Sequence, residues 1–208
     1  MFNNHQPLIG KFAVKNENNF FQVLQFVLLT IQQPLFRAVE DMQVVNDKGL
    51  DAPCLWGVKA QAWRKLGDIR GKVFEHAMLL NDVHPNPDHA ASELLAYFAS
   101  LPGLGLVKGG FVAQLAFGLV GCLDTHNINR YGLKQSAFSA HSYKGAKTIQ
   151  TKQRKVNHYL ELCANLGGCE GLWDSWCEYV HTSSMFGNTY ENADHVSAMH
   201  CHAFGINP

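Results

Sequence analysis

Apolar residues recur along this chain at the three- and four-residue spacing of an amphipathic helix. The clearest stretch, NNFFQVLQFVLLTI, predicts a buried helix over residues 18–31 that begins at Asn18 or Asn19 and ends before Pro34. Helical spacing continues as far as residue 118, and no alternation of period two persists long enough to indicate a sheet. The pattern therefore predicts an all-α protein.

The sequence LPGLG at residues 101–105 interrupts the helical pattern. ASELLAYFASL before it predicts one helix, which Asp88 caps, and VKGGFVAQLAFG after it predicts a second. Gly103 and Gly105 allow positive φ angles and leave the tip of the hairpin without side chains. The first N–H groups of the second helix then face an anion such as a DNA phosphate, with Lys108 as an added positive charge. A plain turn between two antiparallel helices is the alternative interpretation.

Composition narrows the class of protein. The chain has 208 residues, 47% of them hydrophobic and 16% charged, which suits one compact globular unit. Its 17 basic and 17 acidic residues cancel, which excludes a uniformly basic nucleic-acid binder and leaves room for a local basic face. The polar start of the sequence lacks a signal-peptide pattern, and the apolar runs are too short to cross a bilayer. We therefore expect no membrane partner and a cytoplasmic location.

The segment after the hairpin completes a longer pattern. LPGLG at residues 101–105 is followed by AFG at 116–118 and by LDTH at 123–126. These motifs and their spacing resemble the helix-hairpin-helix DNA glycosylase superfamily, in particular the endonuclease III-like group. Members of that group carry L-P-G-x-G, a helix that ends in a motif like A-F-G, and then D-T-H or D-x-H. The resemblance covers about residues 18–132.

The resemblance implies a two-lobed helix-hairpin-helix DNA glycosylase-like fold in which residues 1–208 form a single unit. The hairpin and the catalytic region lie within residues 90–132, and residues 150–208 form the helical part that completes the other lobe. The resemblance also implies a monomer whose partner is DNA. Such a protein acts in the cytoplasm or at the nucleoid, or is encoded by a virus and acts in the host cell.

The resemblance assigns the catalytic role to Asp124. Hydrolysis of an N-glycosidic bond builds positive charge on the sugar, and a carboxylate held nearby stabilises that charge and orients the attacking water. The target base must first leave the stack, and enzymes of this group flip the nucleotide into a cleft between two lobes. Asp is also a favoured N-cap, so Asp124 is expected to begin a helix over DTHNINRYG as well.

The remaining candidate residues are those that the resemblance places against DNA or beside Asp124. Each also has a plain structural interpretation, such as a turn, a frayed helix end, a solvated charge or side-chain packing. The hairpin contacts to DNA are Gly103, Gly105, Val107 and Lys108. Gln32 and Gln33 fill the gap left by a flipped base. Arg130 contacts a phosphate, and His126 supports the carboxylate.

One position departs from the pattern of the bifunctional members. Val107 stands where those enzymes place a nucleophilic lysine, and Lys108 follows one residue later, about 100° further around the helix axis. The sequence therefore predicts a monofunctional glycosylase that uses Asp124 and water. Two alternatives stay open: a base-hypermodification transferase acting on viral DNA, which leaves the glycosidic bond intact, and a DNA-binding module without chemistry.

The cysteines argue against a metal centre. The last four are spaced unlike the iron–sulfur ligands of many family members and unlike a CxxC zinc site. We expect all six to be reduced and the protein to hold no metal or other cofactor. A monovalent cation at the hairpin is one alternative, and a metal bound by His195, His200, Cys201 and His202 of the tail is another. The histidines of the tail ADHVSAMHCHAFG are expected to be scattered structural residues. Trp173 and Trp176 are expected to pack into the core, with stacking on a flipped base as the alternative.

Overall fold

The computed structural model describes residues 3–182 and 190–208, and every regular element within them is helical. The prediction of an all-α protein is confirmed. None of these helices is long and apolar enough to cross a membrane. Two short 3-10 helices lie at Gly49–Asp51 and Gln135–Phe138. The α-helices are α1 (Gln6–Ala13), α2 (Glu17–Leu29), α3 (Leu35–Lys48), α4 (Gly57–Gly67), α5 (Arg70–Val83), α6 (Pro87–Ser100), α7 (Leu106–Phe117), α8 (Thr125–Arg130), α9 (Ala140–Lys144), α10 (Ile149–Asn165), α11 (Gly168–Thr182) and α12 (Ala193–His202).

α2 lies at the centre of the fold, in contact with α1, α3, α4, α5 and α7. Its apolar residues are buried along almost its whole length, as the sequence pattern predicted. The cap is different from the prediction, because the side-chain oxygen of Asn16 accepts the N–H of Asn19 and the helix begins at Glu17. The helix ends at Leu29, ahead of Pro34.

α6 and α7 pack along each other across the connection formed by residues 101–105. Gly109 permits this close approach, because a Cβ atom there would lie 2.8 Å from the backbone nitrogen of Ala99. The predicted cap of α6 is wrong by two residues: the side-chain oxygen of Asn86 accepts the N–H of Asp88, which itself lies in the first turn.

The connection from α7 to α8 is held by a side chain from α10. The chain leaves α7 at Gly118, whose φ of +67° is left-handed. The hydroxyl of the fully buried Tyr159 accepts the N–H of Leu123 at 2.8 Å and donates to the carbonyl of Gly121 at 3.1 Å. These bonds fix the backbone directly before Asp124.

The first and last helices lie side by side. The Nε2 atom of His5 is 3.1 Å from a carboxylate oxygen of Asp194, and the N–H of His5 donates to Ser197 Oγ. α12 also packs against α3 and α11. Buried apolar side chains from α1 through α12 form one continuous cluster. The C-terminal helices therefore share a core with the N-terminal ones.

Candidate functional site

A cavity of about 900 Å³ opens where several helix ends meet. Its wall includes residues 30–35 at the end of α2, parts of the hairpin between 103 and 108, and residues 124–128 at the start of α8. α11 and α12 close another side. This volume is typical of a small-molecule or cofactor site. The aromatic rings of the wall are those of Phe111, Phe138, Trp173 and Trp176.

Asp124 lies in this wall and is the N-cap of α8, as the sequence predicted. Its Oδ1 accepts the backbone N–H groups of His126 and Asn127, both at 3.0 Å. Its Oδ2 accepts the indole N–H of Trp176 at 2.6 Å. Three donors therefore hold the carboxylate in one orientation at the cavity wall.

Lys108 reaches the same cavity from the first turn of α7. Its Nζ donates to the hydroxyl of Thr30 at 2.8 Å and to the carbonyl of Thr30 at 3.3 Å. Nζ also lies 5.7 Å from the centre of the Phe111 ring. Burial lowers the pKa of Lys108, and the nearby carboxylate of Asp124 opposes that shift. Lys108 therefore lines the cavity although it stands one residue after Val107, the position of the nucleophilic lysine in the bifunctional glycosylases.

The two hairpin glycines are required for different reasons. Gly103 has a φ of +75°, as predicted, and a Cβ there would lie 2.5 Å from the Cβ of Ala62. Gly105 has a φ of −156°, which any residue adopts, so this position does not use the positive φ that glycine allows. Ala140 covers Gly105 so closely that a Cβ would lie 2.6 Å from its Cα. Both glycines line the cavity, and so does Val107.

Gln32 and Gln33 both line the cavity, but their environments differ. Gln32 is exposed and has a φ of +56°, a conformation that is uncommon outside glycine. Gln33 is held at both ends of its amide, since Oε1 accepts from Lys59 Nζ at 3.0 Å and Nε2 donates to Asp41 Oδ2 at 3.1 Å. The amide of Gln33 is therefore held in place by other residues of the protein, whereas Gln32 lies at the exposed edge of the cavity.

Arg130 lies away from the cavity wall, where its Nη1 donates to the carbonyl of Ser175 at 2.9 Å and ties α8 to α11. His126 lines the cavity. Its ring centre is 6.2 Å from that of Trp176 and 5.6 Å from that of Tyr179. The structure thus brings every candidate residue except Arg130 to one cavity, and the phosphate contact of Arg130 stays a prediction.

Two residues of the site were expected from the sequence to be structural. Trp176 was expected in the core, but it is half-buried and bonds the carboxylate of Asp124. His200 is fully buried at the cavity wall, with its ring centre 4.6 Å from that of Trp173 and 5.3 Å from that of Trp176. The spacing of the two tryptophans indicated a shared helix face, and that face borders the cavity.

The six cysteines are all free thiols. Burial, with a smaller contribution from Asp124, raises the pKa of Cys122 far above its usual range, so this thiol at the cavity wall stays protonated. Within residues 3–182 and 190–208 no group of His, Cys, Asp and Glu side chains is arranged to hold a metal ion.

Comparisons with known protein families, with curated proteins and with solved structures give no match for this chain. The resemblance to DNA glycosylases therefore stays a prediction from the motifs. The geometry of the cavity is what bears on the function.

Proposed function

We propose that this protein is a DNA glycosylase with the two-lobed helix-hairpin-helix fold, and that it hydrolyses the N-glycosidic bond of a base flipped into the cavity. One observation carries the proposal: a fixed carboxylate, the hairpin, an exposed Gln32 and a set of aromatic rings share one cavity. These parts come from distant segments of the chain. Their convergence matches what a base-flipping hydrolase needs, namely a carboxylate near the sugar and flat apolar surfaces around the base.

Asp124 acts on the sugar in this proposal. As the bond between the base and C1′ breaks, its electron pair leaves with the base and positive charge develops on the sugar ring. The carboxylate stabilises that charge while a water molecule adds to C1′. The proton that the water loses ends on the departing base, which leaves as the neutral free base. Because the backbone N–H groups of His126 and Asn127 already fix the carboxylate, little reorganisation is needed in the transition state.

The hairpin and Gln32 contact the DNA. The N-cap of α7 is Gly105, which has no side chain, and the first N–H groups of this helix supply its positive end for a backbone phosphate. Gln32 holds a left-handed backbone conformation that costs on the order of 1–3 kcal/mol and is typical of functional sites. We propose that its side chain fills the gap left in the duplex.

Lys108 supports a monofunctional reaction. Its amine is held by both oxygens of Thr30, which favours water over the amine as the nucleophile. We expect sodium borohydride to trap no covalent adduct between the protein and DNA that contains an abasic site. An adduct that forms and is lost in Lys108→Gln would instead establish a lyase that uses this amine.

The decisive experiment is the release of free base from DNA. Duplexes with damaged, mismatched and naturally modified bases are incubated with the protein, and released bases are identified by mass spectrometry. Asp124→Asn keeps an N-cap oxygen for α8, so the variant is expected to fold, but it loses the negative charge and base release should fall by about a hundredfold or more. Thermal unfolding of the variant provides the control.

Two other outcomes would contradict the proposal. A modified base that stays attached to DNA without an abasic site would indicate the base-hypermodification transferase. Salt-dependent DNA binding without any change to the DNA, unaltered in Asp124→Asn, would indicate a binding module.

A further inference from the structure

His200 presents an unusual hydrogen-bonding state at the cavity wall. It is fully buried on α12, and its Nδ1 lies 3.0 Å from the carbonyl oxygen of Val196. A carbonyl only accepts, so Nδ1 carries the proton. Burial lowers the pKa of His200 to about 4, and the ring is therefore neutral near pH 7. Its Nε2 is left as a bare acceptor.

This acceptor has no hydrogen-bond partner in residues 3–182 and 190–208. A buried polar atom without a partner is destabilising, and proteins rarely keep one without a reason. The nearby indole N–H groups are already bonded, that of Trp173 to Ser197 Oγ and that of Trp176 to Asp124. Two further neighbours, Phe26 and Phe111, carry no donor.

We infer that His200 determines which bases the cavity accepts: its Nε2 accepts a hydrogen bond from a ring N–H or an exocyclic amino group of the flipped base. The substrate class is then a base that presents an N–H donor on the edge facing α12. A base with only acceptor atoms on that edge is rejected, because two lone pairs would face each other. This inference rests on the proposed glycosylase function and adds the chemical class of its substrate.

Trp176 is the neighbour that moves when the base enters. Of the four rings around His200, those of Phe26, Phe111 and Trp173 are buried, and that of Trp176 is half-buried. Displacement of the indole by the base opens His200 Nε2 and releases Asp124 Oδ2 from its hydrogen bond. Recognition of the base and release of the carboxylate are thereby coupled.

The test compares bases that differ in their N–H donors. Binding of Asp124→Asn protein is measured with duplexes that carry one unpaired base opposite an abasic site. Each base with an N–H donor is compared with an analogue that lacks it: adenine with purine, cytosine with 2-pyrimidinone, and uracil with 3-methyluracil. In at least one pair we expect the donor-bearing base to bind about tenfold more tightly. Adding His200→Phe should reduce that ratio to about one. His202→Phe, the same change at an exposed position of α12, should leave the ratio unchanged.

Folding of His200→Phe is checked by thermal unfolding, and we expect it to be at least as stable as the parent because the unpaired acceptor is gone. A ratio that persists in His200→Phe, or a ratio near one for every pair in the parent, overturns the inference. The glycosylase proposal survives either result if native protein still releases a base in an Asp124-dependent way. Absence of both DNA binding and base release overturns the two together.

Discussion

At the scale of the residue, Trp176 fixes the carboxylate of Asp124 through a hydrogen bond to a charged acceptor. Trp176→Phe keeps an aromatic ring and removes the donor, so we expect the free energy of unfolding to fall by about 1–2 kcal/mol in urea denaturation. Trp56→Phe is the matched control, because Trp56 is 60% exposed and its change should stay within about 0.5 kcal/mol. Equal losses in the two variants would show that the indole N–H adds nothing to stability.

At the scale of the element, the connection before α8 depends on Tyr159. Tyr159→Phe leaves the N–H of Leu123 without its partner in the core, and leaves the carbonyl of Gly121 with the thiol of Cys163 alone. We expect the free energy of unfolding to fall by about 1–3 kcal/mol, and base release to fall as well because the backbone next to Asp124 loosens. Urea denaturation and single-turnover release measure the two effects.

The control for this change is Tyr143→Phe. The hydroxyl of Tyr143 donates to the carbonyl of Ala96, which keeps its helical hydrogen bond inside α6 when the hydroxyl is removed. A smaller loss of stability and unchanged base release are expected. If both variants lose stability equally, the hydroxyl of Tyr159 has no special part in holding the connection.

The helices were predictable because the spacing of apolar residues is a local property of the sequence. The residues that cap the helices were harder to predict. Asn16 and Asn86 are the caps in the structure, whereas Asn18, Asn19 and Asp88 were predicted. Several polar residues precede each helix and any of them has the right chemistry. The backbone geometry of the turn decides among them, and that geometry depends on tertiary contacts.

The candidate site was predictable only where the motifs of the resemblance point to it, namely at the hairpin, at LDTH and at Gln32 and Gln33. The hairpin and LDTH indicated a shared location, and Asp124 and Lys108 do lie on one cavity. Trp176 and His200 come from two later helices, and only the packing of α11 and α12 brings them to the cavity that Asp124 lines. A buried histidine with an unpaired nitrogen leaves no pattern in a sequence, because its neighbours Phe26 and Phe111 are distant along the chain.

At the scale of the whole molecule, stability should depend on pH through His200. Burial lowers the pKa of its folded form from 6.5 to about 4, so the unfolded chain binds more protons between these values. Protonation of His200 therefore costs nothing above about pH 6.5, and as the pH falls towards about 4 it lowers the free energy of unfolding by up to about 3 kcal/mol. Urea denaturation at about pH 7, 5.5 and 4 should therefore show a shallower acid slope for His200→Phe than for the native protein. His202→Phe changes an exposed position of the same helix and should keep the native dependence of stability on pH. Equal slopes of stability against pH in all three proteins would mean that the buried imidazole does not stay neutral.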